Sequence, residues 1–303
     1  MSFKIGDIME NFQFTSFDGK LLNSYLFDNV ENPIGVIQII HGMKEYAVRY
    51  FDFIKFLNEN KFIVFISDLR GHGLSSDSIE NLGFSDGDIY KECLQDQLEI
   101  SKYLHDKYSD LPLYVFGHSF GSFISQGYIL KNQFAKKIIL CGSAYNNTFV
   151  FKFGNVVSKL IRLFKGKKGS AKFIENLSFN SYSKKFENGN WLTRNEKIFK
   201  EYNEDKYCGT DFPINFYCSM FSNTTKNYKG LKNLNNKAKL FVIAGDNDPV
   251  GNNGKSVIKL SKTYQKSGFK VTTKLYNQYR HEILNELNKT EVYNDVVNFL
   301  KFN

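Results

Sequence analysis

One serine lies in a sequence context that could make it a nucleophile. The segment GHSFG at 117–121 fits the pattern Gly-x-Ser-x-Gly, with Ser119 at its centre. The pattern alone is weak evidence, and its alternative is an ordinary serine in a glycine-rich turn. Here, however, it directly follows an apolar run at 113–116 and directly precedes a helix-like segment at 122–131. This context predicts a crowded strand-to-helix turn that needs its glycines and exposes the hydroxyl of the serine.

A base and an acid that could activate Ser119 occur later in the chain. An alcohol is a poor nucleophile at neutral pH, so it needs a base, and the base needs a carboxylate that fixes its tautomer. In a site of this kind the chain order is serine, acid, histidine. His281 is the only one of the five histidines that follows a candidate acid. A lone histidine is usually structural, but its place after the last predicted strand favours catalysis. Two acids, Asp246 and Asp248, lie in one turn, and their pattern does not separate them.

Two backbone amides are candidates for an oxyanion hole. The intermediate of acyl transfer carries a negative oxygen, which amide donors must stabilise. In this type of site the donors come from the residue after the nucleophile and from the loop after the third strand. These are Phe120 and Met43, and Met43 follows His-Gly at the end of the apolar run Gly35–Ile40. The alternative for Met43 is a plain strand-to-helix turn.

The rest of the chain contains the elements that would position these groups. Short apolar, β-branched or aromatic runs recur, each followed by a turn signal and a helix-like segment, which is typical of a mostly parallel sheet flanked by helices. Near the start, two such runs flank Asp18-Gly19, which is a hairpin signal. The sequence therefore predicts an α/β fold whose sheet opens with an antiparallel pair and then runs parallel. The predicted strands are 12–17, Leu21–Phe27, Gly35–Ile40, Phe62–Ser67, 113–116, Lys137–Cys141, 240–244 and 270–276.

Strand-like runs stop between Gly142 and Lys239. This part of the chain is rich in Lys, Asn, Phe and Tyr and contains helix-like stretches. We interpret residues 144–236 as a helical cap inserted after the sixth strand. The core is then formed by residues 1–143 and 237–303.

The cap begins with a predicted basic amphipathic helix. Its apolar residues recur at helical spacing, and its basic residues lie off that face. Such a helix can be a lid whose apolar face covers the active site, which is the favoured interpretation, or it can lie on a membrane surface. The apolar face comprises Phe149, Phe153, Val156, Val157, Leu160, Ile161 and Phe164, and the basic residues are Lys152, Lys159, Arg162 and Lys165.

The composition narrows the class of protein. With 303 residues, 42% of them hydrophobic and 16% aromatic, the chain can form one packed domain that carries a large insertion. No stretch approaches the roughly 20 apolar residues of a membrane span. Residues 1–14 lack the basic start and apolar run of a secretory signal. We therefore expect a cytoplasmic protein, with peripheral membrane contact through the basic cap helix as the open alternative.

Cysteine usage and net charge indicate neither a metal nor a nucleic acid. The four cysteines are scattered without a Cys-x-x-Cys pair, which favours structural thiols over a metal site or disulfide framework. The net charge of +9 suits an anionic lipid or nucleic acid, but no nucleic-acid-binding motif occurs. A general excess of Lys and Asn explains this charge equally well.

Separated blocks of the sequence, in a fixed order, resemble a known family. Over nearly the whole chain the sequence is similar to the monoglyceride lipase and lysophospholipase group of α/β-hydrolases. The blocks are HGMKEYAVRY (41–50), DLRGHGLS (68–75), GHSFGS (117–122), CGTDF (208–212), GDNDPVG (245–251) and RHEILNE (280–286). The resemblance implies the α/β-hydrolase fold.

The resemblance also implies roles for five of the residues above. The family's catalytic triad falls on Ser119, Asp248 and His281, because its acid is the last aspartate of the block that here reads GDND. Its oxyanion-hole donors fall on the backbone amides of Met43 and Phe120.

The first block carries the family's substrate-contacting residues. In relatives that hydrolyse monoglycerides, a Glu and an Arg of this block contact the glycerol head group, and here they are Glu45 and Arg49. The alternative is a surface ion pair at helical spacing. The family usually has His where this sequence has Tyr46, so the polar end of the substrate site departs from the family pattern.

Together these features predict a serine carboxylester hydrolase that cleaves a lipid-like monoester, a monoacylglycerol or a lysophospholipid, through an acyl-enzyme. The serine and histidine complete this chemistry without a metal or organic cofactor. One alternative is a peptidase or thioesterase with the same triad, and another is a non-catalytic binding protein of the same fold. The sequence gives no indication of oligomeric state.

Overall fold

Eight strands form one sheet in the part of the chain that the structure describes. The computed structural model describes residues 10–177, 179–235 and 237–302. Across the sheet the strand order is β1-β2-β4-β3-β5-β6-β7-β8. The strands are β1 (Glu10–Thr15), β2 (Leu21–Phe27), β3 (Gly35–Ile40), β4 (Phe62–Ser67), β5 (Leu113–His118), β6 (Lys137–Cys141), β7 (Lys239–Gly245) and β8 (Val271–Tyr276).

The sheet is antiparallel at one edge and parallel elsewhere, as predicted. β1 pairs antiparallel with β2, and β2 antiparallel with β4. The remaining neighbours are parallel, so the carboxyl ends of β3, β5, β6, β7 and β8 meet at one edge of the sheet. Ligands bind at this edge in open α/β sheets. The loops that leave it carry Met43, Ser119, Asp248 and His281.

The first strand ends two residues earlier than predicted. Ser16 donates its backbone N–H to the carbonyl of Lys20 at 2.9 Å, and Gly19 donates to the carbonyl of Ser16 at 3.0 Å. Gly19 has a φ of 82°, in the left-handed region that glycine adopts without steric cost. The turn therefore begins at Ser16, and Phe17 belongs to it and is exposed.

Helices cover both faces of the sheet because the strand side chains alternate. Ile40 and Val115 pack on one face with α2, α3 and α9, whereas Ile39 and Phe116 pack on the other with α1 and α10. The helices of the core are α1 (Phe51–Glu59), α2 (Ile89–Lys107), α3 (Phe120–Ile129), α9 (Lys255–Lys266) and α10 (Lys289–Phe302).

The remaining five α-helices of the described residues lie between β6 and β7, within the predicted cap at 144–236. They are α4 (Phe149–Lys165), α5 (Lys172–Leu177), α6 (Phe179–Ser183), α7 (Glu196–Glu204) and α8 (Ile214–Thr224). In the described ranges, no helix has both the length and the apolar character needed to cross a bilayer. The expectation about a secretory signal concerns residues 1–14, of which 1–9 lie outside the described residues.

Helix α4 presents its predicted apolar face in two directions. Val157 and Ile161 pack towards the body of the protein, as does Phe151, whose ring meets that of Phe221 on α8 at 5.4 Å between centroids. The other members of that face are between 52% and 83% exposed. The prediction of a lid whose apolar face covers the active site is therefore wrong for four of its seven residues, whereas Phe153 and Val157 line a cavity beside Ser119. The exposed members are Phe149, Phe153, Val156, Leu160 and Phe164.

Candidate active site

Ser119 lies on a tight turn between β5 and α3. Its φ of 52° and ψ of −118° are unusual for a residue with a side chain. A Cβ on Gly121 would overlap the backbone carbonyls of Ile40 and His41, and one on Gly117 would overlap Ser125. Glycine at both positions therefore lets the turn pack against β3 and α3.

The structure brings Ser119, His281 and Asp248 into one hydrogen-bonded row. His281 Nε2 lies 2.8 Å from Ser119 Oγ, and His281 Nδ1 lies 2.9 Å from Asp248 Oδ2. Asp248 is fully buried. A carboxylate can only accept, so Nδ1 carries a proton and Nε2 is free to accept the hydroxyl proton of the serine. This is the geometry of a nucleophile, a base and a carboxylate that orients the base.

The two aspartates of the β7 turn have different surroundings. Asp246 Oδ1 accepts a hydrogen bond from the backbone amide of Gln278 at 2.6 Å, so it braces the turn. Asp248 accepts from the backbone amide of Val250 at 2.8 Å with Oδ1 and keeps Oδ2 on His281. Only Asp248 of the two bonds to the histidine, a distinction that the local sequence pattern did not make.

Both candidate oxyanion donors lie beside Ser119. A Cβ on Gly42 would be 3.2 Å from the Cβ of Ser119, which places the loop carrying Met43 against the nucleophile. Phe120 is the first residue of α3, and the amides of the first helical turn have no carbonyl partner within the helix. Met43 and Phe120 also line the same cavity as Ser119, so an oxygen bound near Ser119 Oγ would lie close to both residues.

Glu45 and Arg49 form a buried ion cluster, not the surface pair considered as the alternative. Glu45 accepts from the amide of Gly42 at 2.6 Å and from Arg49 at 2.8 Å. Arg49 also makes two hydrogen bonds of 2.7 Å to the carboxylate of Glu282. Burial raises the pKa of Glu45, but the hydrogen bond from His118 and the charge of Arg49 outweigh it and lower this pKa well below its usual value.

Glu45 and Arg49, the two residues predicted to contact a head group, have different positions relative to the cavities. Glu45 borders the large cavity beside Ser119, whereas Arg49 does not line that cavity and borders a small one of about 10 Å³. The Arg49 fork joins the loop after β3 to Glu282, the neighbour of His281. Arg49 thus links the loop that carries Met43 to the loop that carries His281.

His118 and Tyr50 complete this cluster, and sequence reasoning gave neither a role. His118 Nδ1 lies 2.9 Å from Tyr50 Oη and 3.1 Å from Glu45 Oε1, and its Nε2 lies 3.4 Å from the carbonyl of His281. Burial lowers the pKa of His118, but the hydrogen bond to Glu45 outweighs it and the pKa is raised. The available signal was its position inside the GHSFG motif, directly before the nucleophile.

Tyr46, at the position where the family usually has His, contacts the cap. Its hydroxyl donates to Asp205 Oδ2 at 2.7 Å, and its ring lies 5.3 Å from that of Tyr207. Burial, together with the hydrogen bond to Asp205, raises the pKa of Tyr46. The tyrosine stays neutral and joins the loop after β3 to the end of α7.

Two cavities meet at Ser119 and Met43. The polar cavity has a volume of about 400 Å³, and the apolar cavity about 170 Å³. Lys44 crosses the polar cavity to bond Glu175 of α5 at 2.8 Å. The polar cavity is also lined by Glu45, Lys172, Trp191, Tyr202, Asn203, Asp211 and His281, and the apolar cavity by Phe120, Phe123, Val150, Phe151, Phe153, Val157, Ile174, Leu177, Met220 and Phe221.

The chain is similar to a known family and to several proteins of known structure. The family model described as serine aminopeptidase, S33, matches residues 31–288. A thermostable carboxyl esterase from Bacillus coagulans, solved with glycerol, is 27% identical, with 97% of this chain and 98% of that chain covered and a TM-score of 0.86. No curated protein sequence matches the chain.

Two monoglyceride lipases share the fold at lower identity. A soluble variant of monoglyceride lipase from Saccharomyces cerevisiae, in complex with a substrate analog, is 19% identical over 99% of this chain and 96% of that one, with a TM-score of 0.75. The monoacylglycerol lipase from Paleococcus ferrophilus is 20% identical over 92% and 98%, with a TM-score of 0.68.

Proposed function

The chain belongs to the serine aminopeptidase S33 family of α/β-hydrolases, and we propose that it is a serine carboxylester hydrolase that cleaves a lipid-like monoester, a monoacylglycerol or a lysophospholipid. The observation that carries the proposal is the position of Ser119 at the junction of an apolar and a polar cavity. An ester with one acyl chain and a polar alcohol has one apolar and one polar half, which match the two cavities. The acyl chain occupies the apolar cavity and the alcohol the polar one.

The proposed reaction is acyl transfer in two steps. Ser119 Oγ attacks the ester carbonyl while its proton passes to His281 Nε2, and Asp248 stabilises the imidazolium that forms. The amides of Met43 and Phe120 donate to the oxyanion. The tetrahedral intermediate collapses, the C–O bond to the alcohol breaks, and His281 returns the proton to the leaving oxygen. Water then attacks the acyl-enzyme with His281 as base, which releases the acid and restores Ser119.

Aminopeptidase activity is the second candidate, because the polar cavity contains two neighbouring carboxyl groups. Glu175 and Asp211 both line it, and the hydrogen bond between them raises the pKa of Asp211. Such a pair of carboxyl groups is suited to bind the ammonium group at the N-terminus of a peptide substrate. The ester is favoured because Lys44 already neutralises Glu175 at 2.8 Å, and because no charged side chain among the described residues lines the apolar cavity.

A substrate panel tests the proposal. Wild type and Ser119→Ala are compared on a 1-monoacylglycerol, lysophosphatidylcholine, a short-chain p-nitrophenyl ester and an amino-acid amide. We expect wild type to prefer one of the lipid esters, and kcat to fall by about 10⁵-fold or more in the variant. Preference for the amide would establish the aminopeptidase instead. Absence of turnover on every member would favour a binding protein of the same fold.

A further inference from the structure

Helix α4 exposes a continuous row of large apolar side chains, which we call the outer face. The residues recur at spacings of three and four, so they lie along one side of the helix. Its opposite side packs against α8 through Phe151 and Phe221. The outer face consists of Phe149, Val150, Phe153, Val156, Leu160, Leu163 and Phe164.

This concentration of exposed apolar surface is unlike the rest of the described chain. Seven of the seventeen exposed large hydrophobic residues lie on this one helix, and Phe173 and Leu177 of α5 add two more nearby in sequence. Single exposed hydrophobic residues are ordinary, whereas a contiguous patch marks a surface that is covered by something else.

Basic residues follow one edge of the outer face. Lys152 lies three residues after Phe149 and four before Val156, and Lys159 lies three after Val156 and four before Leu163, so both lysines flank the same side. Both are exposed. In all, α4 carries four basic residues and no acidic one. The helix therefore offers an apolar stripe beside positive charge.

The outer face is continuous with the apolar cavity at Ser119. Val150 and Phe153 belong to the outer face and also line that cavity. Leu177 of α5 is likewise exposed and lines the same cavity. The mouth of the cavity thus opens beside the exposed stripe.

We propose that the outer face of α4 docks on an anionic lipid surface, with its apolar residues among the acyl chains and Lys152 and Lys159 at the head groups. Amphipathic helices of this composition lie in the plane of such an interface. A second copy of the chain fits less well, because a two-fold contact with the two helices antiparallel would bring the same basic edges together. Docking would place the cavity mouth at the membrane. The further step, passage of an acyl chain from the bilayer to Ser119, rests on the proposed function.

Vesicle sedimentation of the full chain tests the docking. Ser119→Ala protein is mixed with phosphatidylcholine vesicles that either contain or lack phosphatidylglycerol, so that binding is measured without hydrolysis. We expect pelleting with the anionic vesicles. The double variant Phe149→Ser/Phe164→Ser in the same background should lower the partition coefficient by about a hundredfold, since each burial of a Phe side chain is worth about tenfold or more.

Two controls separate docking from other effects. Neither Phe149 nor Phe164 lines the apolar cavity, so in the wild-type background the double variant should hydrolyse a soluble short-chain ester at the wild-type rate. The matched variant Leu287→Ser/Phe302→Ser removes two exposed apolar residues of the core and should bind vesicles normally. Lys152→Glu/Lys159→Glu should weaken binding only to the anionic vesicles.

Three results would overturn the proposal. They are failure to bind either vesicle, equal binding after the loss of Phe149 and Phe164, and a dimer in light scattering that this double variant dissociates. The last would identify a second copy as the occupant. Vesicle binding by a protein that hydrolyses no ester would leave the docking intact and refute the proposed function, and ester hydrolysis without binding would do the reverse.

Discussion

The buried ion cluster around Arg49 in the core contrasts with the exposed ion pairs along α7 of the cap. In the core, Arg49 lies between Glu45 and Glu282, all with side chains at most one-tenth exposed. In the cap, Lys197 and Glu201 pair along α7 with both side chains more than half exposed. Apolar residues show the same contrast, since the outer face of α4 is uncovered. The core therefore fixes the geometry of the reacting groups, whereas the cap supplies residues of both cavities and the exposed outer face.

The largest expected effect is on the reacting groups of the core. Asp248→Asn should lower kcat by about 10⁴-fold, because the neutral side-chain amide of Asn does not stabilise the proton on His281 Nδ1 as the carboxylate does. Asp246→Asn is the matched control, since Asp246 only braces the turn through Gln278, and it should stay within a few-fold of wild type. Rates on a short-chain ester measure both. Equal losses in the two variants would contradict the assignment of the acid.

The next effect is on the stability of the core. Arg49→Met leaves the buried carboxylates of Glu45 and Glu282 uncompensated, so the free energy of unfolding should fall by about 3–5 kcal/mol. Lys197→Met removes an exposed pair of the cap and should cost no more than about 0.5 kcal/mol. Urea denaturation measures both variants. Similar costs would remove the contrast between buried core pairs and exposed cap pairs.

A smaller effect concerns the selection of substrates by the two cavities. Met220→Trp places a larger side chain in the apolar cavity, whose volume is about 170 Å³, and leaves less room for an acyl chain. The value of kcat/KM for a long-chain ester should therefore fall about ten- to hundredfold. An acetyl ester does not reach this cavity and should change less than about threefold. Asn203→Trp adds the same ring to the polar cavity and should alter head-group preference at constant chain length. The opposite pattern would exchange the roles of the cavities.

The smallest effect is a pH dependence of core stability. His72 is buried among the rings of Phe120, Phe212 and Phe216, and burial lowers its pKa to about 3. Between about pH 6.5 and 3 the unfolded chain therefore binds a proton that the folded chain does not, so stability falls as the pH falls through this window.

The contribution of His72 amounts to about 1.4 kcal/mol between pH 8 and pH 5.5. Urea denaturation at both pH values should show this loss in wild type, and the His72→Leu variant should lose correspondingly less. An unchanged difference between the two pH values in the variant would assign the dependence to other groups.

Much of the core was predictable because its signals are local. Strand positions follow from short apolar runs between turn residues. The largest differences are at β1, which ends two residues early at the turn that begins with Ser16, and at β5, which ends two residues later than predicted, at His118. The glycines around Ser119 are needed by the turn itself, so the motif and its flanking elements suffice to locate it. His281 followed from chain order. These signals can be read from short segments of the sequence and from the order of those segments along the chain.

Tertiary structure decided the features that depend on residues far apart in the chain. Local pattern left Asp246 and Asp248 equal, and the family resemblance favoured Asp248, but its bond to His281 is visible only in the fold. The cluster of Arg49 with Glu282 joins residues 233 positions apart.

The cap shows the same division between local pattern and tertiary packing. Because a helix repeats every 3.6 residues, helical spacing along α4 grouped five apolar residues that do share its exposed side. It wrongly added Val157 and Ile161, which pack towards the body of the protein. Which side is covered depends on where α8 packs, through contacts such as Phe151 with Phe221. The sequence alone thus determined the nucleophile's turn, the chain order of the reacting groups and the periodicity of the cap helix. The acid's partner, the buried charge cluster, the two cavities and the exposed outer face were decided by tertiary packing, because each arises from contacts between segments that no local pattern connects.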